Sequence, residues 1–355
     1  MRSDRNWRCF EIIISHKNIS RQGNKANEDF AFSCEQYIFV VDGASGLSDK
    51  NYTHYESDAQ WFAHRLGTLL QIRLQRMDEK IEDILSEIID ELRAEYETFL
   101  PNADPNPFAM PSASLSILRL NRGCIELFQL GDCVTVLTTK DCDVEVFWDD
   151  SVVNLDNAVI ETIVNISHEK KISYPDALMY KRDYLIHNRK KCNVPDGYWI
   201  LDLSGIGIRH AYTNSFPACN VTAAAILSDG FAEIVRLYEL YDYKRLMEQI
   251  EKYSLHLLCD ELFKAQDQDV SMAKHPRLKH RDDSSAAWCS IQRKNKHTAQ
   301  RSSYRSWGAG VSPATPFCVA KSSMLRLPAN GSNTFRSIIL CIVFGISIRS
   351  RAECR

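Results

Sequence analysis

The chain has 355 residues, 45% hydrophobic and 25% charged, a composition that excludes disordered and fibrous classes. Its net charge of −3 hides a division: from Lys294 to the end there are ten Lys or Arg and one acid, Glu353, whereas the preceding part carries 33 basic and 45 acidic residues. The longest apolar run, Ile338 to Ile348, is eleven residues, short of the ~20 that cross a membrane. Nothing at the start has the pattern of a secretion signal. Twelve scattered cysteines with no CxxC pair read as free thiols of a cytoplasmic protein.

In chain order, "FEIII" and "YIFVVDGASG" have strand pattern, the second ending in a Gly/Ser turn. Helical spacing runs from about residue 55 to 74 and from 78 to 100, where Ile81, Ile84, Leu85, Ile88, Ile89 and Leu92 mark one face. Pro101, Pro105 and Pro107 then make a loop. "SASLSILRL", "CIELFQLGD" and "CVTVLTT" read as a meander with a turn at Asn121–Gly123. A polar segment from about 156 to 191 reads as helix interrupted at Tyr174–Pro175. "GYWILDL" and "TAAAILSDG" return to strand, a helix opens after Gly230 through Tyr241, and "SSAAWCSI" is a last strand. Hairpins with helix pairs between them predict α+β layers. Trp148, Trp199 and Trp288 are expected in the core, and His54, His64 and His168 in structural or surface roles.

Two units are expected, 1–293 folded and 294–355 a basic tail. For that tail three readings stand: a disordered extension, a basic interaction arm, or out-of-frame sequence. It lacks interleaved aromatics, so no nucleic-acid partner is expected.

The informative feature is where acids interrupt apolar runs. Asp42 ends "YIFVV" before Gly43; Asp132 follows "LFQLG"; Asp229 follows "AAAILS" before Gly230. Glu28 and Asp29 precede "FAF", and Asp282 and Asp283 precede "SSAAWCSI". An Asp-Gly pair after a strand is by itself usually only a turn. Several such strand ends meeting in one place would gather like charges that need cations, and hard oxygen donors select magnesium or manganese.

The ordered set "NED–F", "VVDGASG", "LGD", "LSDGFAE" and "RDDSSAA" resembles the metal-dependent serine/threonine protein phosphatases (PPM, or protein phosphatase type 2C) of the bacterial type, over about residues 10–292. The resemblance implies an antiparallel β-sandwich flanked by helices, in α-β-β-α layers, with two divalent cations, Mg2+ or Mn2+, at one end. It implies that Asp42 bridges the cations and Gly43 adds its carbonyl. Glu28 and Asp29 would serve the second cation, one of them through water, and Asp229 and Asp282 the first. Asp132 and Glu233 fall where some members hold a third. The activity implied is hydrolysis of phosphoserine or phosphothreonine in a protein substrate by a hydroxide bridging the cations, with no membrane partner. Three positions depart from the family pattern: Asn24 replaces a phosphate-binding Arg, Ala44 a His, and Val134 an Arg. Arg21 or Lys25 is the expected substitute at the phosphate. These departures leave a second reading, a weak or inactive relative that binds a partner.

Overall fold

A computed structural model gives the fold and describes residues 10–44, 46–47, 50–100 and 110–294. The loop prolines Pro101, Pro105 and Pro107, the apolar run 338–348 and the tail beyond Lys294 lie outside the described residues.

Two antiparallel sheets face each other. One contains β2 (Asp29–Ser33), β3 (Tyr37–Ala44), β4 (Ser112–Asn121), β5 (Cys124–Leu130) and, further along the chain, β9 (Tyr212–Pro217), hydrogen-bonded in that order. The two-residue β8 (Leu201–Asp202) pairs with β4. The other sheet runs β1 (Phe10–Arg21), β11 (Ser284–Lys294), β10 (Val221–Leu227), β6 (Val134–Thr139) and β7 (Val144–Phe147).

Helices cover both outer faces. α1 (Asp58–Arg73) and α2 (Ile81–Glu97) lie on the β2–β9 sheet, around a core of Phe39, Val41, Phe62, Leu66, Ile88 and Leu92. The apolar face read from α2 is buried throughout. Cutting Ile88 to Ala there should cost about 2–5 kcal/mol. α6 (Asp229–Arg236), α7 (Tyr243–Lys252) and α8 (Leu255–Gln268) lie on the second sheet around Phe231, Leu246, Leu258 and Trp288. Between the sheets a third core of Ile38, Val40, Leu127, Ala224, Ile226 and Ala287 completes the α-β-β-α order. α3 (Ser151–Lys170), α4 (Tyr174–Ala177) and α5 (Lys181–Arg189) form a separate group with its own small core at Val159, Ile163 and Tyr174.

The α+β sandwich expected from the sequence is therefore what the chain forms. Its details differ in several places. The expected meander breaks after β5, because β6 pairs with β10 and β7 in the opposite sheet. "GYWILDL" supplies only two strand residues; Asn193 Oδ1 takes the Ile200 amide and Trp199 stacks on His210, so the segment folds back on itself. β9 has no apolar alternation to announce it, since Tyr212–Ser215 is an exposed edge. Pro175 opens α4 at its first turn rather than breaking a helix. The helix at residue 230 ends at Arg236, and α7 and α8 follow, each started by a side-chain cap, Asp242 and Ser254. Trp148 is 48% exposed and so is no core residue, while Trp288 is buried. All eight cysteines among the described residues are free.

Candidate metal centre

At one end of the sandwich the inner faces of both sheets change from apolar to acidic. Along β3, Ile38 and Val40 face the inter-sheet core, and the two-residue period of a strand puts Asp42 in the same row. Asp29 opens β2 directly opposite Asp42, and Asp42 lies opposite Ser114 on β4. From the second sheet, β10 runs into Ser228, which caps α6, so Asp229 begins a helix at the strand end. The Asp229 amide donates to Asp42 Oδ2 (3.2 Å), a link between the two sheets. Ser228 also ties β10 to the start of β11: its amide donates to the Ser285 carbonyl (2.8 Å) and its hydroxyl accepts the Ser285 amide (2.9 Å). That fixes Asp282 and Asp283 beside Asp229.

Close backbone approach is built in. The Gly43 amide donates to the Glu28 carbonyl (3.1 Å), and a Cβ at Gly43 would stand 2.3 Å from that oxygen. A Cβ at Gly230 would stand 2.1 Å from the Asp283 carbonyl. Side chains at either place would force the strand ends apart.

Asp283 acts as a clamp. Its two oxygens accept the Gly23 amide (2.7 Å) and the Glu28 amide (2.8 Å), holding the turn that carries Glu28 and Asp29. Ser57 donates to Glu28 Oε1. Ser114 donates to Asp132 Oδ1 (2.6 Å).

The electrostatics are those of crowded acids. Burial first, then the charges of Asp283, Asp282 and Asp229, hold the Asp29 carboxyl well above the usual carboxylate range. Burial and then Asp229, Asp29 and Asp132 do the same to Asp42. Asp229 is pushed up to about 8 by burial and then by Asp282 and Asp132. Burial also raises Asp132, against the hydrogen bond from Ser114. Asp29 Oδ2 is buried with no hydrogen-bond partner. Cys133 next to Asp132 is raised by burial and by Asp42, so it stays a protonated thiol and is a poor nucleophile.

The structure thus brings Asp29, Asp42, Asp132, Asp229 and Asp282 within electrostatic reach of one another, with Glu28 held beside them. Glu233 lies on α6 and accepts from Gln266 Nε2 (2.9 Å); burial pushes it up to about 7. The two acids expected at a third cation therefore have separate partners, Ser114 and Gln266. Arg21 does not serve the cleft: its guanidinium pairs with Asp260 and lies over Phe263 (4.7 Å), both on α8. Lys25 is exposed and sits in the electrostatic neighbourhood of Lys181.

Three participants were missed from sequence. Lys279 donates to Asp282 Oδ1 (2.6 Å). Partial burial works against its charge, but Asp282, Asp229 and Asp42 more than offset that and hold the ammonium protonated. Lys181 is lowered by burial and then by Lys279 and Lys25, with Asp282 and Asp156 opposing. Asp156 on α3 is pushed up to about 7 by burial and then by Asp132. A signal for Asp156 existed: it precedes buried Val159 and Ile163 by three and seven residues, which places an acid on the apolar stripe. Nothing in the local sequence marked the lysines.

Among the described residues no three His, Cys, Asp or Glu side chains are arranged to hold an ion as they stand. Their present partners explain this: Asp282 is turned to Lys279, Asp132 to Ser114 and Glu28 to Ser57. The donor chemistry nevertheless fits divalent cations, because carboxylates this crowded ionise together only around positive charge, and Asp29 Oδ2 is an oxygen without a partner.

A family profile described as Protein phosphatase 2C matches residues 20–266, more than half of the chain. No curated protein matches it. Among solved structures, the catalytic domain of the serine/threonine protein phosphatase PstP, in complex with two manganese ions, is 13% identical with a TM-score of 0.45, covering 79% of this chain and 99% of that one. A PPM Ser-Thr phosphatase from Mycobacterium smegmatis is 14% identical (TM-score 0.44), covering 78% and 98%. Serine/threonine phosphatase Stp1 from Staphylococcus aureus is 12% identical (TM-score 0.44), covering 78% and 94%.

Proposed function

The chain belongs to the protein phosphatase 2C family, and from that membership we propose that it hydrolyses phosphoserine or phosphothreonine in proteins, using divalent cations held in the carboxylate cleft. The observation that carries this reading is the convergence of Asp29, Asp42, Asp132, Asp229 and Asp282 at one end of the sandwich, where burial and mutual repulsion raise four of the five. In the proposed assignment Asp42 and the Gly43 carbonyl would help to hold both cations. Glu28 and Asp29 serve one, Asp229 and Asp282 the other, and Asp132 and Glu233 a possible third. Oxygen donors of this kind suit Mg2+ or Mn2+. Bound there, the cations supply the Lewis acidity that makes water nucleophilic at neutral pH and neutralises phosphoryl oxygens.

The protein's own groups prepare that chemistry. Asp283 fixes the Glu28 turn, and the Asp229 amide orients Asp42. Lys279 is a cation already in the cleft, placed to meet a phosphoryl oxygen once Asp282 turns away. Ala44 offers no proton to the leaving group. The proposed functional unit is residues 1–293, and deletion of 294–355 is expected to leave activity intact.

The test is hydrolysis of p-nitrophenyl phosphate and of a phosphothreonine peptide, with manganese, magnesium or chelator. Asp42→Asn and Asp229→Asn are run beside the parent. Metal-dependent turnover lost in both variants supports the reading. One observation favours the second reading, a weak or inactive binding relative: Lys279 occupies Asp282 with a built-in positive charge. Manganese binding without turnover would select it, and absence of both would sink the proposed centre.

A further inference from the structure

One residue before Asp132, the end of β5 opens into a cavity of about 550 Å³ at the edge of the sandwich. β7, β9 and the segment leading into α3 complete its walls. A Cβ at Gly131, which lines the cavity, would stand 2.3 Å from Ser114 Oγ, the donor to Asp132, so this wall adjoins the Asp132 side of the carboxylate cluster.

Its lining joins acidic Asp149 and Asp150 and the amide of Gln129 to aromatic side chains, His210 among them, and to aliphatic Leu130 and Val146. Gln129 is 4% exposed, and its Oε1 is buried with no hydrogen-bond partner. A buried acceptor left unpaired is rare enough to point to a missing donor. Asp149 and Asp150 stand at the rim. Asp149 accepts the Ser151 amide (2.8 Å), and Asp150, at the N-cap of α3, makes no side-chain cap bond. Trp148 and Tyr212 are each 48% exposed, and Tyr212 stacks on Phe147 with centroids 5.9 Å apart. Among the described residues no Lys or Arg lines the cavity.

We propose that this cavity receives an arginine side chain of the polypeptide substrate, near the phosphorylated residue. A guanidinium brings five N–H donors and a flat face. The donors answer the Gln129 oxygen and the aspartates, and the face lies against Trp148 or Tyr212. Two aspartates next to an acidic centre repel a substrate with acids at the same place, so the cavity both attracts and excludes. The aromatic side chains are stiff and lose little freedom on contact. This inference rests on the phosphatase reading for its substrate, but the cavity can be tested apart from it.

The experiment compares phosphothreonine peptides that differ only in carrying Arg, Ala or Glu at positions within three residues of the phosphothreonine. Parent, Trp148→Ala and the double variant Asp149→Asn/Asp150→Asn are assayed, with p-nitrophenyl phosphate as a substrate too small to reach the cavity. Binding of fluorescently labelled peptides to manganese-loaded protein is measured by anisotropy, which needs no turnover. An aromatic contact and charge-assisted hydrogen bonds together predict about 10–100-fold higher kcat/KM for the best Arg peptide over the Ala peptide, mostly through KM. Both variants should lose that preference while hydrolysing p-nitrophenyl phosphate like the parent. Equal handling of Arg, Ala and Glu peptides at every position overturns the proposal, as does a preference that survives both variants. If p-nitrophenyl phosphate is not hydrolysed, the phosphatase reading fails and anisotropy decides the cavity alone. Arg-dependent binding removed by Trp148→Ala supports it, and binding indifferent to Arg overturns it.

Discussion

The protein buries carboxylates in two neighbouring places and treats them in opposite ways. Asp269, 8% exposed, accepts the amides of Lys274 (3.3 Å) and His275 (3.0 Å) and Arg277 Nη1 (3.0 Å). Burial alone would raise it, but these bonds outweigh burial and its pKa falls below the usual carboxylate range. Arg277, itself buried, also donates to the carbonyls of Gln266, Asp269, His275 and His280. Its own carbonyl accepts from Tyr174 (3.1 Å), tying the α3–α5 group to this loop. Asp282, only thirteen residues on, enters a cluster where donors are few and like charges many. Burial does not decide what a carboxylate is for; the supply of donors does. The first arrangement is a structural knot, and the second stores repulsion that a ligand can relieve.

The largest expected effect breaks the knot. Arg277→Met leaves Asp269 buried and charged without its ion partner, and should cost about 3–5 kcal/mol by urea denaturation. A loss below about 1 kcal/mol would mean that the loop amides alone satisfy Asp269. The reverse result is expected in the cleft. Asp229→Asn should stabilise the metal-free protein at pH 8 by about 1–3 kcal/mol, since it removes one of several repelling charges, while weakening manganese binding. Destabilisation of the metal-free variant would contradict the repulsive picture.

The pH dependences sharpen the contrast. Asp229, with a folded pKa of about 8, lies above its unfolded value. Its contribution is therefore fully present below about pH 4 and lost as pH rises towards 8. Asp269 is depressed, so its contribution is present above about pH 4 and lost as pH falls through its lower folded value. Melting temperature of the chelated protein should accordingly fall from pH 5 to 8 and also fall at strongly acid pH. Manganese at about 100 times its Kd should add roughly 2.7 kcal/mol and flatten the alkaline limb. A third carboxylate marks the lower end of the scale. Glu95 on α2 pairs with Arg65 on α1 (2.6 Å) and also accepts from Trp61 (3.1 Å), with each charged side chain about a third exposed. Glu95→Gln should cost only about 0.5–1 kcal/mol, less in high salt.

Much of this could be read before any coordinates. The alternation of "YIFVVDG" puts Asp42 on the inner row with Ile38 and Val40, and α2 buries the face its spacing marks. Placement of the acids at strand ends, and so the candidate centre, follows from the same pattern. Arg21 could not be placed, because its partner Asp260 is 239 residues away. Lys279 and Asp156 reach the cleft only through the packing of loops and α3, and no local periodicity reports that.

By itself, then, the amino-acid sequence determined the α+β class, most strands, the free thiols among the described residues and the acids at the strand ends, because each depends on patterns within a few residues. Tertiary structure alone decided that β5 and β6 part into opposite sheets, that Asp269 is satisfied while Asp29 keeps an oxygen without a partner, and that Trp148 and Gln129 line one cavity. Those outcomes depend on which distant groups arrive as neighbours, and hydrogen-bond supply and charge crowding are properties of neighbours in space.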